Sequence, residues 1–309
     1  MTTTPYAAQS PARPERAREL AGHDEFYRQL TERNRGLVDA VEQQRLRQAR
    51  ILVAGCGSIG GAVVEPLVRL GAEHLMLAEP DMYETHNLNR QSALLTDVGR
   101  NKATVLAERV RAINPYLAVT VDTDGITADN ADTHVAGAQL IVDGVDVTTG
   151  PALACKYLLH EHAHQHRVPV VCGYDIAGTQ LVVVYDYRNP KVKVLDGRLA
   201  GRSVHDLDPL HFLARIVPLR MVPAEMLVEL RHQLAGQSTG FPQLVYSAQL
   251  FGVLACRVGL DLLAGRPVRH RIAVDVHTLT RTGSQRWRAR GTRMVELARI
   301  SRAALTYRR

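Results

Sequence analysis

The first residues whose types and spacing suggest chemistry form a glycine-rich turn after a short apolar run. Residues 51–54 read ILVA, and Gly55, Gly57 and Gly60 follow in a GxGxxG spacing with Ser58 between them. Glycines at this spacing let the backbone bend tightly and approach a phosphate, which then lies at the N-terminus of the next helix. The turn therefore predicts a nucleotide-phosphate site, and on this motif alone NAD is the default expectation.

An acidic side chain follows the next strand pattern. After an apolar helical pattern over residues 63–70, residues 75–78 read LMLA and lead directly to Glu79. An acidic residue at this position of a strand–helix–strand unit can accept hydrogen bonds from a ribose hydroxyl. The glycine turn and Glu79 together predict a nucleotide-binding unit.

Cationic and amide side chains after Glu79 argue against a dinucleotide. Residues 87–91 read NLNRQ, which places Arg90 beside Gln91, and Lys102 follows within VGRNKA at 98–103. A triphosphate carries more charge than the two bridging phosphates of a dinucleotide, and its pyrophosphate must leave. Arginine and lysine are suited to stabilising that charge. We therefore expect a triphosphate, with Arg90 and Lys102 at its phosphate groups.

Two carboxylates follow a later strand pattern. Residues 139–143 read QLIVD, so a buried apolar strand ends in Asp143, and Asp146 follows within DGVD. Carboxylates at the C-terminal end of such a strand face the ligand crevice of an α/β sheet. Either residue could instead cap a turn or the next helix.

In combination these segments resemble one known family. The glycine turn, NLNRQ, VGRNKA and INP at 113–115 together are similar to the ThiF/MoeB/HesA superfamily, the bacterial relatives of ubiquitin-activating enzymes, over about residues 30–280. Members of that family adenylate carboxylates with ATP. The resemblance implies ATP and Mg²⁺ as cofactors. It also implies a homodimer in which an arginine upstream of the first strand, best matched by Arg35 and next by Arg33, reaches the partner subunit's ATP.

The resemblance implies specific roles for the candidate residues. Arg90, Lys102 and the partner's copy of Arg35 would neutralise the leaving pyrophosphate, and Asp146 matches the family's magnesium-associated aspartate. The acyl substrate would be a small carrier protein, a peptide or a small acid. The expected nucleotide-binding residues are Gly55, Gly57, Ser58, Gly60, Glu79, Asn87, Gln91 and Asp143.

Other functions remain open at this stage. The glycine turn and Glu79 alone also suit an NAD(P)-dependent oxidoreductase. The chain lacks the two CxxC pairs that hold a structural zinc in better-known members, and residues 188–242 contain no cysteine. A non-catalytic nucleotide-binding adaptor is therefore a third possibility. We expect no structural zinc, and no enzyme thioester, for which Cys172 is the only candidate.

A histidine-rich helix pattern over residues 151–167 has no parallel in the family. His160 with His164, and His162 with His166, are i,i+4 pairs that could hold a metal. In the sequence, no cysteine or carboxylate is placed to complete a tetrahedral site. An exposed helix end rich in histidine is the simpler interpretation.

Hydrophobic periodicity places these motifs in one large α/β unit. We expect a Rossmann-like, mostly parallel sheet with flanking helices, which continues into an antiparallel extension through a strand at 179–185. The helix pattern at 244–263 is apolar on nearly every face and should be buried. The predicted organisation is a disordered tail at 1–22, helices at 23–49, a ThiF-like adenylation domain at 50–280 with a variable crossover or lid segment at 188–242, and a basic tail at 281–309.

Composition limits the remaining choices. The chain has 309 residues with 46% hydrophobic and 22% charged residues, as in a globular protein, and no uninterrupted apolar stretch long enough to span a membrane. Four widely spaced cysteines suit reduced thiols and a cytoplasmic protein. The net charge is +7, but residues 281–309 hold nine arginines and one acid, Glu296, so the other 280 residues sum to about −1. Nucleic acid could bind this basic tail, although an acidic partner or solvent is the simpler expectation.

Overall fold

The computed structural model describes residues 22–198, 209–237 and 241–306, and most of the predicted disordered tail at 1–22 lies outside these ranges. Its centre is a seven-stranded sheet in the order β3-β2-β1-β4-β5-β6-β7. The strands are β1 Arg50–Ala54, β2 His74–Ala78, β3 Ala118–Asp122, β4 Leu140–Asp143, β5 Val170–Ile176, β6 Thr179–Tyr185 and β7 Arg271–Asp275.

Strands β1 to β5 are parallel, whereas β6 pairs antiparallel with both β5 and β7. This confirms the predicted mostly parallel sheet with an antiparallel extension. Ala54 pairs with Ala78 on one side and with Asp143 on the other, so β1, β2 and β4 end at the same level. Strands β2 and β3 lie on one side of β1, whereas β4 and the later strands lie on its other side. In α/β folds a ligand crevice opens at the point where the strand order reverses in this way.

Eleven helices are described around this sheet. The short helix α5 has no counterpart in the sequence prediction, because only six residues form it and their apolar pattern is brief. The helices are α1 His23–Leu30, α2 Ala40–Gln48, α3 Gly60–Leu70, α4 Lys102–Ile113, α5 Ala131–Ala136, α6 Gly150–Gln165, α7 Pro209–Ile216, α8 Ala224–Leu234, α9 Val245–Leu263, α10 Val276–Thr280 and α11 Gly283–Thr306.

The core has two apolar layers, one on each face of the sheet. Alternating residues of β4 show the division, because Leu140 and Val142 belong to the layer with α3, α4 and α9, whereas Ile141 belongs to the layer with α5 and α6. Successive side chains of a strand point to opposite faces, so the same alternation decides which layer each polar residue of the sheet enters. This alternation turns Asp143 toward α6 and Asp175 toward α9.

A buried carboxylate anchors the N-terminal helices to the sheet. Glu73, which precedes β2, is 3% exposed and accepts hydrogen bonds from Arg47 Nε at 2.8 Å and from Asn114 Nδ2 at 3.2 Å. His23 Nε2 lies 2.8 Å from the same carboxylate. A charged acceptor with several donors makes stronger hydrogen bonds than a neutral one. Residues 23–49 are thus fixed to the nucleotide unit.

Helix α9 is long and apolar enough to span a bilayer by length and composition, and it is one such helix among the described residues. Its apolar stretch is 56% buried inside the fold, and it packs on α3 and on β5 and β6. At Gly252 an added Cβ would lie 2.2 Å from the carbonyl oxygen of Ala62, so the two helix backbones are nearly in contact. The predicted buried helix at 244–263 is therefore a core helix.

The C-terminal segment, predicted as a basic tail, makes contacts with the rest of the fold. Residues 283–306 form α11, which packs on α8. Glu296 is 3% exposed and accepts hydrogen bonds from Arg231 at 2.7 Å and from Arg299 at 2.6 Å. Arg293 donates to the carbonyl oxygen of Val222 at 3.1 Å. Several tail arginines therefore have partners within the fold, which the excess of charge in the sequence did not indicate.

The segment predicted as a lid is also part of the core where it is described. Phe212 and Ile216 of α7 and Leu227 of α8 are at most 1% exposed, and the first two join the layer that contains α6. Residues 199–208 and 238–240 lie outside the described ranges. Helices α7 and α8 are therefore partly buried in the fold, and the crossover or lid role of residues 188–242 remains a prediction.

Candidate active site

The glycine turn is held by close backbone packing with the loop after β4. Gly55 has φ of +81°, and a Cβ there would lie 2.5 Å from the carbonyl group of Gly144. A Cβ on Gly60, the first residue of α3, would lie 1.8 Å from the carbonyl oxygen of Gly55. Neither position has room for a side chain, so both must be glycine, as the motif predicted. Gly144 belongs to the same contact, although the sequence motif did not include it.

Glu79 lies directly beneath this turn. The side chain is 4% exposed, and its carboxylate accepts hydrogen bonds from the backbone N–H of Cys56 at 2.5 Å and of Asp81 at 2.9 Å. Burial raises the pKa of Glu79, while the positive charge of Lys102 opposes that shift. Glu79 therefore lies beside the turn with each carboxylate oxygen on a backbone N–H group, and its contact with ribose remains a prediction.

Lys102 begins α4 on the same side of the crevice. Its Nζ lies 3.1 Å from Asp81 Oδ2, and the side chain is largely buried. Asn101 supports this position, because its side chain accepts a hydrogen bond from the Thr104 N–H at 3.0 Å and donates one to the carbonyl oxygen of Glu79 at 2.8 Å. A lysine held by an exposed aspartate can exchange that partner for a phosphate.

The two amides of the NLNRQ segment have different environments. Asn87 is 4% exposed and accepts a hydrogen bond from the Glu84 N–H at 3.0 Å, so it closes a local turn. Gln91 lies over the glycine turn, since its Nε2 is 3.7 Å from the position of a Cβ on Gly57. The Oε1 atom of Gln91 is buried and has no hydrogen-bond partner among the described residues. This oxygen can accept a hydrogen bond from an N–H or O–H group of a ligand.

Arg90 is half-buried, with hydrogen bonds to neutral acceptors and two carboxylates near enough to act on its charge. It donates hydrogen bonds to Gln243 Oε1, to the carbonyl oxygen of His86 at 3.0 Å and to Asn89 Oδ1 at 2.8 Å. Burial lowers its pKa, and the nearby carboxylates of Asp175 and Asp146 oppose that shift. A guanidinium held in this way stays charged, and it is pre-positioned for an anion entering the crevice.

Asp146 is exposed in the loop between β4 and α6. Its carboxylate accepts hydrogen bonds from the Thr148 N–H at 3.0 Å and from the Thr148 hydroxyl at 2.5 Å, which fix its direction. Carboxylate oxygens are the ligands that Mg²⁺ prefers, and magnesium takes few protein ligands when phosphates supply the others. The residue therefore fits a magnesium ion carried by ATP.

Asp175 at the carboxyl end of β5 was not anticipated as a site residue. One of its oxygens accepts a hydrogen bond from the Ser247 hydroxyl at 3.3 Å, and the other is buried without a hydrogen-bond partner among the described residues. Burial raises the pKa of Asp175 to about 7, against the charge of Arg90. The sequence analysis expected a carboxylate at the C-terminal end of a parallel strand to face the crevice, and we call this the strand-end rule. The same rule would have found Asp175, because it also lies where a parallel strand ends.

The expectation that Asp143 faces the crevice is wrong for this structure. Its side chain is fully buried, where it contacts Lys156 Nζ and, at 2.9 Å, His160 Nε2 of α6, and at 3.0 Å Cys172 Sγ of β5. Although burial opposes ionisation, the charge of Lys156 and the hydrogen bond to His160 lower the pKa of Asp143. Asp143 points to the same face as Ile141, into the buried layer that contains α6.

The same cluster contains two further residues considered in the sequence. Cys172 does not face the crevice: it is 0% exposed, and burial raises the pKa of its thiol well above the usual value. His160 is also buried and pairs with Asp143 and with the hydroxyl of Tyr187 at 2.7 Å, so it does not form an exposed metal site with His164. These residues support the sheet rather than line the crevice.

Arg35 lies away from this group in a single chain. The side chain is 82% exposed and pairs with Glu32 at 3.2 Å within its own segment. The structure thus brings the glycine turn, Glu79, Lys102, Gln91, Arg90 and Asp146 to one edge of the sheet, and it does not bring Arg35 there. Its proposed action on a partner's site remains a prediction.

The comparisons with known proteins agree with this architecture. The sequence profile described as "ThiF family" matches residues 31–258. The chain belongs to the ThiF family. Among the relatives of this ThiF-family chain is the tRNA threonylcarbamoyladenosine dehydratase of Escherichia coli, 34% identical over 146 residues, which cover 45% of this chain and 53% of that protein.

A second relative is the sulfur carrier protein adenylyltransferase of Thermus thermophilus, 33% identical over 132 residues, covering 42% of this chain and 47% of that protein. The ThiF-family chain spans about half or less of the curated relatives that it matches.

Solved structures show the same fold. PaaA superposes with a TM-score of 0.59 at 19% identity, covering 84% of this chain and 81% of that chain. The E. coli dehydratase in complex with ATP gives a TM-score of 0.55 at 24% identity, covering 80% of this chain and 98% of that chain.

Proposed function

We propose that this ThiF-family protein is an ATP-dependent adenylyltransferase that activates a substrate carboxylate. The observation that carries the proposal is the gathering of Arg90, Lys102 and Asp146 around the glycine turn, with Glu79 beneath it. The turn and the acidic residue also suit an NAD(P) enzyme, but that function does not explain two cations and a second carboxylate together at the same edge. Family membership supports the same choice.

In the proposed reaction an oxygen of the substrate carboxylate attacks the α-phosphorus of ATP. The bond between that phosphorus and the oxygen that bridges to the β-phosphate breaks, and pyrophosphate leaves with the electron pair. Arg90 and Lys102 stabilise the negative charge that grows on the leaving group. A carboxylate is already ionised at neutral pH, so the step needs no general base. The product is an acyl-adenylate.

The remaining residues bind and orient the nucleotide. The glycine turn, with Ser58, receives the phosphates at the N-terminus of α3, and Glu79 accepts from the ribose. Gln91 would orient ATP or the incoming carboxylate: its unpaired amide oxygen can accept from an N–H or O–H group of the nucleotide, and its amide N–H group can donate to the carboxylate. Asp146 would hold Mg²⁺ through oxygen contacts. A bound magnesium ion screens phosphate charge during the transfer.

The relatives suggest two substrate classes, the C-terminus of a small carrier protein or peptide and a carboxylate attached to tRNA. The relatives include a sulfur carrier protein adenylyltransferase and a tRNA threonylcarbamoyladenosine dehydratase. We favour a protein or peptide C-terminus or a small acid, as the sequence analysis implied. We also propose that the protein is a homodimer.

Nucleotide-dependent melting tests the proposal without a known substrate. ATP with magnesium should raise the melting temperature, because a ligand that binds only the folded state stabilises it, whereas NAD should leave it unchanged. The Arg90→Ala variant should show a smaller ATP shift than wild type. Arg100→Ala is the matched control, because Arg100 lies on the surface and pairs with Glu108 at 2.6 Å.

Pyrophosphate exchange into ATP then tests catalysis with candidate acids. With an accepted acid, Arg90→Ala should lower the exchange rate roughly 10²- to 10³-fold, as expected when one electrostatic donor is lost. Arg100→Ala should exchange normally. A shift with NAD but not ATP would contradict the proposal. Normal exchange in Arg90→Ala would refute the role of Arg90, and ATP binding without exchange for any acid class would indicate a non-catalytic adaptor.

A further inference from the structure

Two histidines of the histidine-rich helix meet a carboxylate that the sequence did not place near them. His162 lies in the last turn of α6, His166 is the C-cap residue one turn further along, and Asp132 reaches both from α5. Asp132 Oδ1 lies 3.2 Å from His162 Nδ1 and 2.7 Å from His166 Nε2. This corrects the expectation that no carboxylate is available to complete a site on this helix.

The spacing of the three ligand atoms suits a transition metal. The two imidazole nitrogens and the carboxylate oxygen all lie within 4.8 Å of one another. Bonds of about 2.0–2.2 Å around a tetrahedral ion separate neighbouring ligand atoms by roughly 3.3 Å. Small side-chain rotations would therefore open enough space for an ion. Asp132 and His166 are exposed and His162 is partly exposed, so an ion can enter from solvent.

A second group of potential metal ligands is not accessible from solvent. Asp143, His160 and Cys172 lie equally close together but are fully buried. The ammonium group of Lys156 already contacts the Asp143 oxygen that a metal would use. A metal cation placed there would be repelled by that charge, so the comparison favours the exposed group.

We propose that Asp132, His162 and His166 form a binding site for zinc or a similar first-row divalent ion. Two imidazoles and one carboxylate are a ligand set that zinc uses, with the remaining positions open to water. Magnesium prefers oxygen ligands, so this site is distinct from the proposed magnesium position at Asp146. The ion would link α5 to α6, the helices that precede and follow β4. The inference does not depend on the proposed adenylyltransferase activity.

Zinc titration of the full chain, stripped with a chelator and carrying no polyhistidine tag, tests the site. Isothermal titration should show one zinc ion per chain with micromolar affinity, and zinc should raise the melting temperature. His162→Ala and His166→Ala should each weaken binding by at least ~10-fold, and Asp132→Asn should weaken it as well. His164→Ala is the matched control, because this histidine lies on the same helix but packs edge-on against the ring of Tyr187 at 5.4 Å.

Cobalt is a second probe, because its spectrum distinguishes nitrogen and oxygen ligands from thiolates. We expect a cobalt spectrum without a thiolate charge-transfer band, and no cobalt uptake by the His162→Ala/His166→Ala double variant. The site would be refuted if wild type took up no zinc at micromolar concentrations, since the three side chains would then form hydrogen bonds only. Equal zinc or cobalt binding by wild type and the folded double variant would refute it too, as would a thiolate band.

Discussion

Asp175 is a carboxylate held where its protonation should affect stability. Its pKa is raised to about 7 by burial, compared with about 3.9 for an aspartate in an unfolded chain. The folded state therefore binds this proton more tightly than the unfolded chain does. The contribution of Asp175 to the free energy of unfolding should be largest below about pH 4 and should decline as pH rises to about 7.

Asp175→Asn should remove this dependence. The variant should gain stability relative to wild type between about pH 4.5 and pH 8, by a few kcal/mol at about 1.4 kcal/mol per pKa unit. Urea unfolding at several pH values measures the difference. Asp129→Asn, at an exposed position, is the control and should track wild type throughout. Parallel curves for Asp175→Asn and wild type would show that this carboxyl does not titrate as described.

Cys172 tests whether the proposed reaction includes an enzyme thioester. A nucleophilic thiol needs access and a lowered pKa, and Cys172 is fully buried with a pKa raised by burial. Cys172→Ala should therefore retain pyrophosphate exchange within a few-fold of wild type. Trapping with ATP and an accepted acid should give no thiol-sensitive adduct on either protein. An adduct on wild type that disappears in the variant would establish the thioester that we exclude.

At the scale of elements, the close contact between α3 and α9 is possible because Gly252 has no side chain. Gly252→Ala would place a methyl group 2.2 Å from the carbonyl oxygen of Ala62, so the helices would have to separate. Overpacking of this kind typically lowers the free energy of unfolding by about 1–3 kcal/mol.

Gly291→Ala is the matched substitution in a helix with free space. No heavy atom lies within 4 Å of a Cβ on Gly291, which is exposed in α11. Alanine should there raise the free energy of unfolding by up to ~1 kcal/mol, because it favours the helix. Chemical denaturation of both variants gives the comparison. Equal effects at the two positions would mean that the α3–α9 contact is looser than the structure indicates.

At the scale of the whole molecule, the proposed homodimer makes a complementation test possible. If Arg35 acts on the partner's ATP, each site uses Arg90 of one chain and Arg35 of the other. A mixture of Arg35→Ala and Arg90→Ala chains should then regain activity that neither variant has alone, up to about a quarter of wild type after random exchange. Pyrophosphate exchange measures the recovery, and light scattering measures the mass. A monomer at active concentrations would contradict the dimer.

Local sequence patterns determined the fold and one side of the candidate site. The sheet could be predicted from apolar runs of strand length, from the glycines that end them and from the strand at 179–185. This was possible because strand and helix periods are properties of neighbouring residues. The glycine turn could also be predicted from the sequence, since its residues are close together in the chain. Glu79, Arg90 and Lys102 follow it within about one strand–helix–strand unit, and the structure places them around the turn.

Only the tertiary structure decided which strand-end residues enter the crevice and which distant side chains meet. Asp143 and Asp175 both follow the strand-end rule, but alternation along each strand turns the first toward α6 and the second toward α9. Asp132 is 30 residues from His162, and Arg231 is 65 residues from Glu296, so neither pair has a local signal. Such contacts depend on how helices pack across the sheet, which is a property of the folded chain as a whole.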